Sequence, residues 1–554
     1  MQYEGFMEQM KMGYPALMQP SIEKAHASRK ERVTSAFPEL TVAEKAKLLE
    51  DYHPDFNQKV KRPLKIGVNK GNPVPTELAD LIEAPGRLMT EQIDLSRVDY
   101  RTDVLIIGSG GGGLSAAITA NEAGAEVLLA TKLRMGDSNT IMAEGGIGGA
   151  TAPEDSPAIH YVDTLVGGRG TNVPALVEVL VKDAPFIIDW LSSLGVNFDR
   201  LADGSYFTHR PGGHSRRRSH SVMDLTGLEI IRVLSDEVRN RGVQVLEFSP
   251  AVELLLDQQG RCTGAVLQNL DNDTPVVVQS KVSILATGGM GRLHPQGFPT
   301  SNHYGATADG LIMGYRAGAR LVNAESVQFH PTGAAWPEQM LGLLISEAVR
   351  AQGAQVLNAE GELFAASLET RDALAAAIIR ECGHRDRGVL TPTGMVGVWL
   401  DTPLIDVIHG PGTFKRRFAG IYARFMQHGI NPIVEPILVY PTQHYQNGGL
   451  AINTFGETDV PGLYAVGEVS GGVHGQNRLG SNSLLDIFVF GRRAGSDAAE
   501  KAGHIAHGEL SLRHAHQHAQ SLQALDITTD LCSPMLLPDY RFEKALTNIN
   551  HIAQ

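Results

Sequence analysis

Histidine and arginine side chains recur in short polar segments of the C-terminal half of the chain. His330 and Thr332 stand in FHPTG, His444 in QHYQNGG, Arg478 in GQNRLG and Arg371 in LETRDALAAAI. A reaction that moves a hydride to or from a carbon beside a carboxylate needs cations for the carboxylate, a polarising contact and an acid. Arginine and histidine suit these tasks, and a guanidinium can hold one carboxylate through two hydrogen bonds.

A segment far upstream has the pattern of a nucleotide site. Val104 to Ile107 form an apolar run, Gly108, Gly110 and Gly113 follow in the spacing G-x-G-x-x-G, and a second apolar run, Val127 to Ala130, comes after a stretch of small residues. This order predicts strand, turn, helix and strand. The glycines let the backbone approach a pyrophosphate, and the helix N-terminus offers free N–H groups. We therefore predict dinucleotide binding.

The residues after the second strand argue against simple nicotinamide binding. An acidic residue usually stands there to hold a ribose, whereas this chain has Thr131 and Lys132. Two later segments, VSILATGGMGR (282–292) and GLYAVGE (462–468), each repeat a strand followed by glycine. This repetition is typical of large flavoproteins that close their FAD site in this way.

The chain resembles the flavoprotein subunits of succinate dehydrogenase and fumarate reductase, together with L-aspartate oxidase. The resemblance covers roughly residues 100 to 500 and rests on SNTIMAEGG, ATGGMGR, ATADG, VQFHPTG, SEAVR, TRD, PTQHYQNGG and HGQNRLGSNSLLD, in this order. The pair Thr131 and Lys132 is also similar to the family. The resemblance implies an α/β fold with a Rossmann-like FAD-binding domain, an inserted α+β capping domain and a short C-terminal tail.

The resemblance also implies FAD as the cofactor, bound without a covalent link. Respiratory members carry a histidine bonded to FAD where this chain has Asn139, and an amide cannot act as that nucleophile. We expect Asn139 to hydrogen-bond the flavin; the alternative is a turn residue without flavin contact. Ser481 or Ser483 could cap a helix that begins at Leu484, whose N-terminus would stabilise a reduced flavin. The expected FAD-binding residues are Gly108, Gly110, Gly113, Thr131, Lys132, Ser138, Asn139, Thr140, Gly145, Gly146, Ala286, Thr287, Gly288, Asp309, Glu468, Ser483 and Leu484.

Two further groups of residues take roles from the resemblance. The residues that match the family's carboxylate-binding positions are His330, Thr332, His444 and Arg478. Arg371 is the expected proton donor, with Glu347 and Arg350 passing the proton onward. Because the pKa of arginine lies above about 12, such a donor can act only as a transient relay. The alternative for Arg371 is a structural pair with Asp372 or with a carboxylate of the cap.

The chain departs from the family pattern at positions that bear on the reaction. Thr370 replaces a proline beside Arg371, and Gln352 replaces a glutamate near the relay. In the family the histidyl link raises the flavin potential and helps succinate oxidation. The absence of that histidine therefore favours reduction of a double bond, or oxidase chemistry.

Positive charge is concentrated in THRPGGHSRRRSH, residues 208 to 220. Its GGHSRRR resembles the aspartate oxidase branch, whereas RLGSNSLLD resembles the respiratory branch. The cluster could bind a substrate carboxylate or form a solvated basic loop. We expect no metal site there, because no cysteine or carboxylate completes a set with His209, His214 and His220.

The sequence is expected to divide into five segments. Residues 1–97 form an N-terminal extension, 98–322 and 445–503 the two parts of the FAD-binding domain, 323–444 a mobile capping domain, and 504–554 a short C-terminal segment. The extension either wraps the body or docks another subunit. Within it, TVAEKAKLLEDY predicts a helix with Thr41 and Glu44 as a capping box and Val42, Leu48 and Leu49 on one face.

Composition limits the classes of protein and partner. A chain of 554 residues with 42% hydrophobic residues can bury more than one core, and its net charge of −13 disfavours nucleic acid as a partner. Cys262, Cys382 and Cys532 are too few and scattered for a disulfide framework or an iron–sulfur cluster. No apolar run approaches the roughly 20 residues that span a bilayer. We expect a cytoplasmic protein, with any association with a membrane made through partner subunits.

Three functions remain open on the sequence alone. The first is a dicarboxylate oxidoreductase acting on fumarate, succinate or a substituted succinate, with an iron–sulfur protein as its electron partner in a larger complex. The second is an L-aspartate oxidase that produces hydrogen peroxide. The third is a flavin electron-transfer subunit whose dicarboxylate site is idle.

Overall fold

A computed structural model describes residues 13–90, 93–538 and 540. The N-terminal segment, residues 13–90, contains α1 (Gln19–Arg32), α2 (Val42–Tyr52), β1 (Lys61–Pro63), β2 (Pro73–Pro75) and α3 (Thr76–Ile82). The predicted capping box is present: Thr41 Oγ1 accepts from the Glu44 backbone, and the Glu44 carboxylate accepts from Thr41 N. Leu48 and Leu49 are buried, but Val42 is 88% exposed, so the prediction of one face with all three was wrong.

This segment wraps the body of the chain and contacts both of its larger parts. Arg29 and Arg32 of α1 both bind the buried carboxylate of Asp401. Further along, Ile66 O accepts from the hydroxyl of Tyr315 at 2.8 Å. The described part of the extension therefore follows the wrapping alternative.

The nucleotide-binding part is built on one seven-stranded sheet with helices packed against it. The strand order is β8 (Gln244–Leu246), β4 (Val127–Ala130), β3 (Tyr100–Ile107), β11 (Thr274–Leu285), β10 (Cys262–Asn269) and β9 (Ala251–Leu256), with β19 (Leu463–Ala465) beside β11. Pairs β8/β4, β4/β3, β3/β11 and β11/β19 are parallel. The elements up to the cap are β3 (Tyr100–Ile107), α4 (Gly111–Glu122), β4 (Val127–Ala130), β5 (Ile147–Gly148), α5 (Pro157–Gly167), α6 (Pro174–Leu194), β6 (Thr208–His209), β7 (Ser219–His220), α7 (Thr226–Asn240), β8 (Gln244–Leu246), β9 (Ala251–Leu256), β10 (Cys262–Asn269), β11 (Thr274–Leu285), α8 (Asp309–Arg316) and β12 (Leu321–Val322).

Gly108, in the turn between β3 and α4, and Gly113, in the first turn of α4, permit a backbone approach that no other residue allows. Gly108 has φ of +111°, and a Cβ there would lie 2.3 Å from Ala286 O. A Cβ on Gly113 would lie 1.8 Å from Gly108 O. Strand, helix and the end of β11 are thus packed at backbone distance, as the G-x-G-x-x-G pattern predicts.

The cap contains an antiparallel sheet of five strands in the order β13-β17-β16-β14, with β15 beside β16. Helix α10 packs against β13. The last cap strand crosses the predicted boundary at residue 444. The elements are β13 (Val327–Ala334), α9 (Glu347–Ala351), β14 (Gln355–Leu357), α10 (Arg371–Ile379), β15 (Val389–Leu390), β16 (Val396–Asp401), α11 (Pro403–His409), α12 (Thr413–Arg417), α13 (Ala419–Gln427) and β17 (Ile437–Gln446).

The chain then returns to the nucleotide-binding part. The final elements are β18 (Gly449–Ala451), β19 (Leu463–Ala465), β20 (Ser470–Gly471), α14 (Asn482–Ala502) and α15 (Arg513–Ala524). Helix α14 begins at Asn482 and has no side-chain cap, so the expectation of a helix capped by Ser481 or Ser483 from Leu484 was wrong. Among the described residues, no helix is long and apolar enough to cross a membrane.

Candidate functional site

A cavity of about 550 Å³ extends from the turn after β3 to the cap sheet. It brings together residues that lie more than 300 positions apart in the chain. Of the expected FAD-binding residues, those that line it are Gly108, Gly110, Thr131, Lys132, Ser138, Asn139, Thr140, Gly145, Gly146, Ala286, Thr287, Gly288, Asp309, Glu468, Ser483 and Leu484. Of the expected substrate and catalytic residues, those that line it are His330, Glu347, Arg371, His444 and Arg478.

Three expected site residues lie outside this lining. Gly113 packs against the turn itself. The Thr332 hydroxyl donates to Ile345 O at 2.8 Å, so this side chain supports the loop beside His330. The Arg350 guanidinium is buried and donates to Glu347 Oε2 at 3.3 Å, one residue away from the cavity.

The nucleotide end of the cavity presents polar atoms suited to phosphates and ribose. Helix α4 begins beside Gly110 with no side-chain cap, so its N-terminus faces the cavity without a protein anion. Thr287 Oγ1 is buried and has no hydrogen-bond partner among the described residues. An uncapped helix N-terminus and an unpaired hydroxyl on one cavity wall fit a dinucleotide pyrophosphate, and these residues therefore fit FAD.

Lys132 joins three segments around this end. Its ammonium donates to Gly305 O at 3.0 Å, to Thr307 Oγ1 at 2.7 Å and to Leu536 O at 2.5 Å, and it pairs with Asp309. Since Leu536 belongs to the C-terminal segment, that segment is tied to the cavity wall through this lysine.

The amide of Asn139 is fully engaged with protein groups. Its Oδ1 accepts from His303 N at 2.6 Å, and its Nδ2 donates to Asn302 Oδ1 at 2.7 Å and to Glu468 Oε2 at 3.1 Å. Asn139 thus lines the cavity while it joins the loop at 302–303 to the turn at 467–469. Both sequence alternatives, flavin contact and structural turn, are compatible with this place.

At the cap end, one glutamine joins the two site arginines. Gln328 Oε1 accepts from Arg478 Nη2 at 2.9 Å and from Arg371 Nη1 at 3.2 Å. Gln328 Nε2 donates to Arg478 O at 2.6 Å. Arg371 comes from the cap and Arg478 from the nucleotide-binding part, so Gln328 links the two parts at the cavity.

Arg371 also binds Glu347, which is the acid of the expected relay. Arg371 Nε donates to Glu347 Oε2 at 2.9 Å, and Gly212 N donates to Oε1 at 2.6 Å. Burial alone would raise the pKa of Glu347, but the charges of Arg371 and Arg350 and these hydrogen bonds lower it to about 2. Glu347 is therefore an anion over the whole working range of pH.

Two histidines complete this end of the cavity. The rings of His330 and His444 lie 5.2 Å apart between centroids, and Ser301 Oγ is 2.7 Å from His444 Nδ1. Burial, together with the nearby arginine charges, holds the pKa of both imidazoles well below the ordinary value. Both are neutral hydrogen-bonding groups in the free protein.

A second contact between cap and nucleotide-binding part lies at another wall of the cavity. Asp224 Oδ2 accepts from Gly420 N at 2.9 Å and from Ile421 N at 3.2 Å, at the start of α13. Arg424 of the same helix pairs with Glu144. Burial raises the pKa of Glu144 to about 7, although Arg424 opposes this rise.

The basic segment at 208–220 follows neither of its predicted alternatives as a whole. Arg218 is buried and binds Asp155 and Asp163, while His214 is buried and lies 2.9 Å from Gly480 O. Arg210, Arg216 and Arg217 are exposed. The segment therefore contributes one structural arginine behind the site and three solvated ones. Within the described ranges, no group of three or more histidine, cysteine, aspartate or glutamate side chains could hold a metal ion.

The two departures from the family pattern leave the relay intact. Gln352 Oε1 binds Arg417 on the outside of the cap, away from Glu347. Thr370 directly precedes α10, and its φ of −56° is an angle that proline also adopts. Neither substitution removes a hydrogen bond from Arg371.

Sequence reasoning missed Gln328 and the carboxylates Glu144 and Asp224. Gln328 carried a usable signal, because this polar residue stands between Val327 and Phe329 on the buried strand that also carries His330. Glu144 and Asp224 gave no comparable signal: their role comes from α13, about 200 residues or more downstream.

Comparisons with known proteins agree with this arrangement. A family model described as FAD binding domain matches residues 103–484. A fumarate reductase (CoM/CoB) subunit from Methanothermobacter marburgensis is 41% identical over 414 residues, 73% of each chain. L-Aspartate oxidase of Streptomyces coelicolor is 39% identical over 425 residues, 74% of this chain and 70% of its own. A structure of a quinol fumarate reductase variant from E. coli has a TM-score of 0.68 at 30% identity, over 77% of this chain and 74% of that one.

Proposed function

We propose that this protein reduces the double bond of a C4-dicarboxylate such as fumarate. The chain belongs to the FAD-binding flavoprotein family of fumarate reductases and succinate dehydrogenases. The chain is an FAD-dependent oxidoreductase of this type. The substrate, the direction of the reaction and the roles of single residues are the proposal.

The observation that carries the proposal is the state of Arg478. Its side chain is 2% exposed, and its hydrogen bonds go to the neutral oxygens of Gln328, Ser483 and Leu479. Burial and the nearby charge of Arg371 lower its pKa from the ordinary value. Within the described residues no carboxylate contacts this buried guanidinium, although the charges of Glu468 and Glu347 act on it from a distance. A substrate carboxylate would give it a direct counter-charge.

The other residues at the cap end suit two tasks, which are binding the second carboxylate and supplying the proton. His330 and His444 would hold the second carboxylate by hydrogen bonds, and this anion would raise the pKa of both imidazoles. Arg371 would give a proton to the substrate carbon and regain it through Glu347, which Arg350 holds in place. Bound FAD would supply the hydride at its N5 position.

We propose that FAD is bound without a covalent link. An amide is not a nucleophile towards the flavin, and the hydrogen bonds of Asn139 to His303, Asn302 and Glu468 hold it in a fixed orientation. The low potential expected for such a flavin supports reduction of the substrate as the working direction.

We further propose that the electrons come from an iron–sulfur partner protein. The Methanothermobacter relative is by its name one subunit of a fumarate reductase, which describes a chain that works within a complex. A cytoplasmic location, with any membrane contact made through partners, stays a prediction.

L-Aspartate oxidation is the competing function, favoured by the 39% identity to an L-aspartate oxidase. It would need an acceptor for the substrate ammonium. Glu347 is an ionised carboxylate on the cavity wall, but Arg371, Arg350 and Gly212 N already occupy its oxygens. This arrangement favours a substrate without an amino group.

The experiment is turnover of the purified FAD-loaded protein without oxygen, with reduced viologen as electron donor. Fumarate should oxidise the dye in proportion to enzyme. A parallel assay with L-aspartate and oxygen should give no hydrogen peroxide. Peroxide formation without fumarate reduction would establish the oxidase, and inactivity in both assays with every dicarboxylate would establish an idle site.

A further inference from the structure

An ion pair joins the two halves of the site immediately beside Arg371. Arg169 Nη2 donates to Asp372 Oδ2 at 2.6 Å, with side chains that are 23% and 6% exposed. Arg169 follows α5 in the nucleotide-binding part, and Asp372 is the second residue of α10 in the cap. The pair therefore spans the junction of the two parts one residue away from the expected proton donor.

The backbone at Arg169 is held in an unusual conformation. Its φ is +59°, between Gly168 and Gly170, in the left-handed region that residues other than glycine rarely adopt. The loop is fixed on both sides, because Arg169 N donates to Val166 O and Gly168 O accepts from Gln476 N. Such a strained position is kept where the direction of the side chain matters.

The N-terminal segment completes the junction. The Arg169 guanidinium stands 4.9 Å from the centroid of the Phe56 ring, in a cation–π contact. The ring of His53 lies 6.0 Å from that of Phe56 between centroids, and burial lowers the pKa of His53 to about 3, so it is neutral. Arg169 is therefore the cation that pairs with Asp372. Burial raises the pKa of Asp372, but the charge of Arg169 keeps it below the ordinary value.

Asp372 lies in the first turn of α10. Its Oδ1 accepts from Ala373 N at 2.9 Å, so the carboxylate holds the first turn of the helix with one oxygen and Arg169 with the other. Arg371 opens this turn and reaches Glu347 and Gln328 at the cavity. A shift of the first turn away from Arg169 would carry Arg371 away from Arg478 and from anything bound there.

We propose that Arg169 is a positioning residue for Arg371, which latches the first turn of α10 to the nucleotide-binding part when the cap is closed on substrate. The inference rests on the proposed function for its kinetic test. Arg169 acts through Asp372, and it holds the proton donor within reach of the substrate carbon. The expected loss on its removal falls on the proton-transfer step and leaves ground-state binding largely unchanged.

The test compares Arg169→Gln, Arg169→Lys and Asp372→Asn with the wild type in anaerobic fumarate reduction. In Arg169→Gln, kcat should fall about tenfold or more, while FAD content and the malonate Kd from flavin absorbance stay within about threefold. Arg169→Lys should recover most of the loss, because the charge returns. The double variant Arg169→Gln/Asp372→Asn should be no slower than the slower single variant, because the two residues act through one contact.

A matched control separates the latch from general ion-pair loss. Arg493→Gln breaks a pair with Asp183 whose side chains are 29% and 28% exposed and which lies within the nucleotide-binding part. Its kcat should equal that of the wild type. A kcat within twofold of wild type in Arg169→Gln, or a loss of kcat in proportion to lost FAD, would overturn the inference.

A second measurement keeps the inference testable if the wild type does not reduce fumarate. Hydrogen exchange of the amides in residues 371–379 should be slowed by malonate in the wild type and less slowed in Arg169→Gln, with α14 unaffected. Inactive wild type with this difference would defeat the proposed function alone. Equal exchange in both proteins would defeat the latch.

Discussion

Arg371 Nε and Glu347 Oε2 lie 2.9 Å apart, and this contact crosses from α10 to α9 inside the cap. The pair keeps Glu347 ionised and directs the remaining guanidinium nitrogens towards the cavity, where Nη1 meets Gln328. Both residues belong to the cap. In the proposed mechanism, the contact that orients Arg371 is therefore already formed before substrate binds.

Arg371→Lys should abolish most fumarate reduction without loss of FAD. A lysine ammonium cannot make the Nε contact to Glu347 and the Nη1 contact to Gln328 at once, so the donor loses its orientation. General acid catalysis contributes about a hundredfold or more, which sets the expected fall in kcat. Viologen-linked kinetics and the flavin spectrum measure both quantities, and a kcat within a few-fold of wild type would remove Arg371 from the mechanism.

Local pattern was sufficient to predict the nucleotide turn, whereas the other expected cavity residues came from the motifs that carry the family resemblance. The turn after β3 requires only a strand, three glycines and a helix in this order, and all three lie next to one another in the sequence. The five polar residues at the cap end were identified from short motifs, although their segments are far apart in the chain.

The missed features share a physical cause, since each depends on packing between distant segments. The capping of α14 could not be predicted from Ser481, because its hydroxyl lies 2.6 Å from Ser219 Oγ and its φ is +67°. Likewise, only packing decides that Leu48 and Leu49 of α2 are buried while Val42 at its start is exposed. The contact of Arg169 with Asp372 joins a loop and a helix that lie about 200 residues apart, and neither segment predicts the other.

All flavin should leave the protein on denaturation. Acid or heat treatment of the holoprotein should release FAD quantitatively into the supernatant, because Asn139 cannot form the histidyl bond. Absorbance of supernatant and pellet near 450 nm gives the partition. Yellow colour that stays with the washed precipitate would show a covalent link at another residue and would contradict the prediction.

Stability should fall in mild acid through buried histidines such as His220. Its ring contacts Thr151 Oγ1 and Arg218 O, and burial lowers its pKa to about 4. The unfolded chain, with an ordinary value near 6.5, takes up the proton first. The contribution of neutral His220 to the free energy of unfolding is therefore complete above pH 6.5. It is lost as pH falls towards 4, and the loss is about 2 kcal/mol at pH 5.

His220→Gln should remove this part of the pH dependence. The gap in thermal midpoint between wild type and variant should be widest at pH 7 and should narrow at pH 5. His26→Gln, at an exposed position of α1, serves as the control, and its thermal midpoint should equal that of the wild type at pH 7 and at pH 5. A gap that is constant between pH 7 and pH 5 would show that His220 does not titrate as a buried neutral imidazole.

Binding of dicarboxylates should depend on Arg478 more than on any other residue of the cavity. A charge-assisted hydrogen bond is worth about 1.5–3 kcal/mol, so Arg478→Ala should weaken fumarate, succinate and malonate binding about tenfold or more. The perturbation of flavin absorbance at fixed pH measures each Kd. Arg493→Ala, which removes an arginine remote from the cavity lining, should leave these constants unchanged.

Crotonate tests the second carboxylate in the wild type. This monocarboxylate has the double bond of fumarate but would leave either Arg478 or the pair His330 and His444 without an anion. Since the buried Arg478 guanidinium gains most from a carboxylate, crotonate should occupy that end and lose the contribution of the histidines. Its Kd should exceed that of fumarate about tenfold or more. Equal Kd values for the two ligands would remove the dicarboxylate assignment and leave the flavin fold as the part of the interpretation that stands.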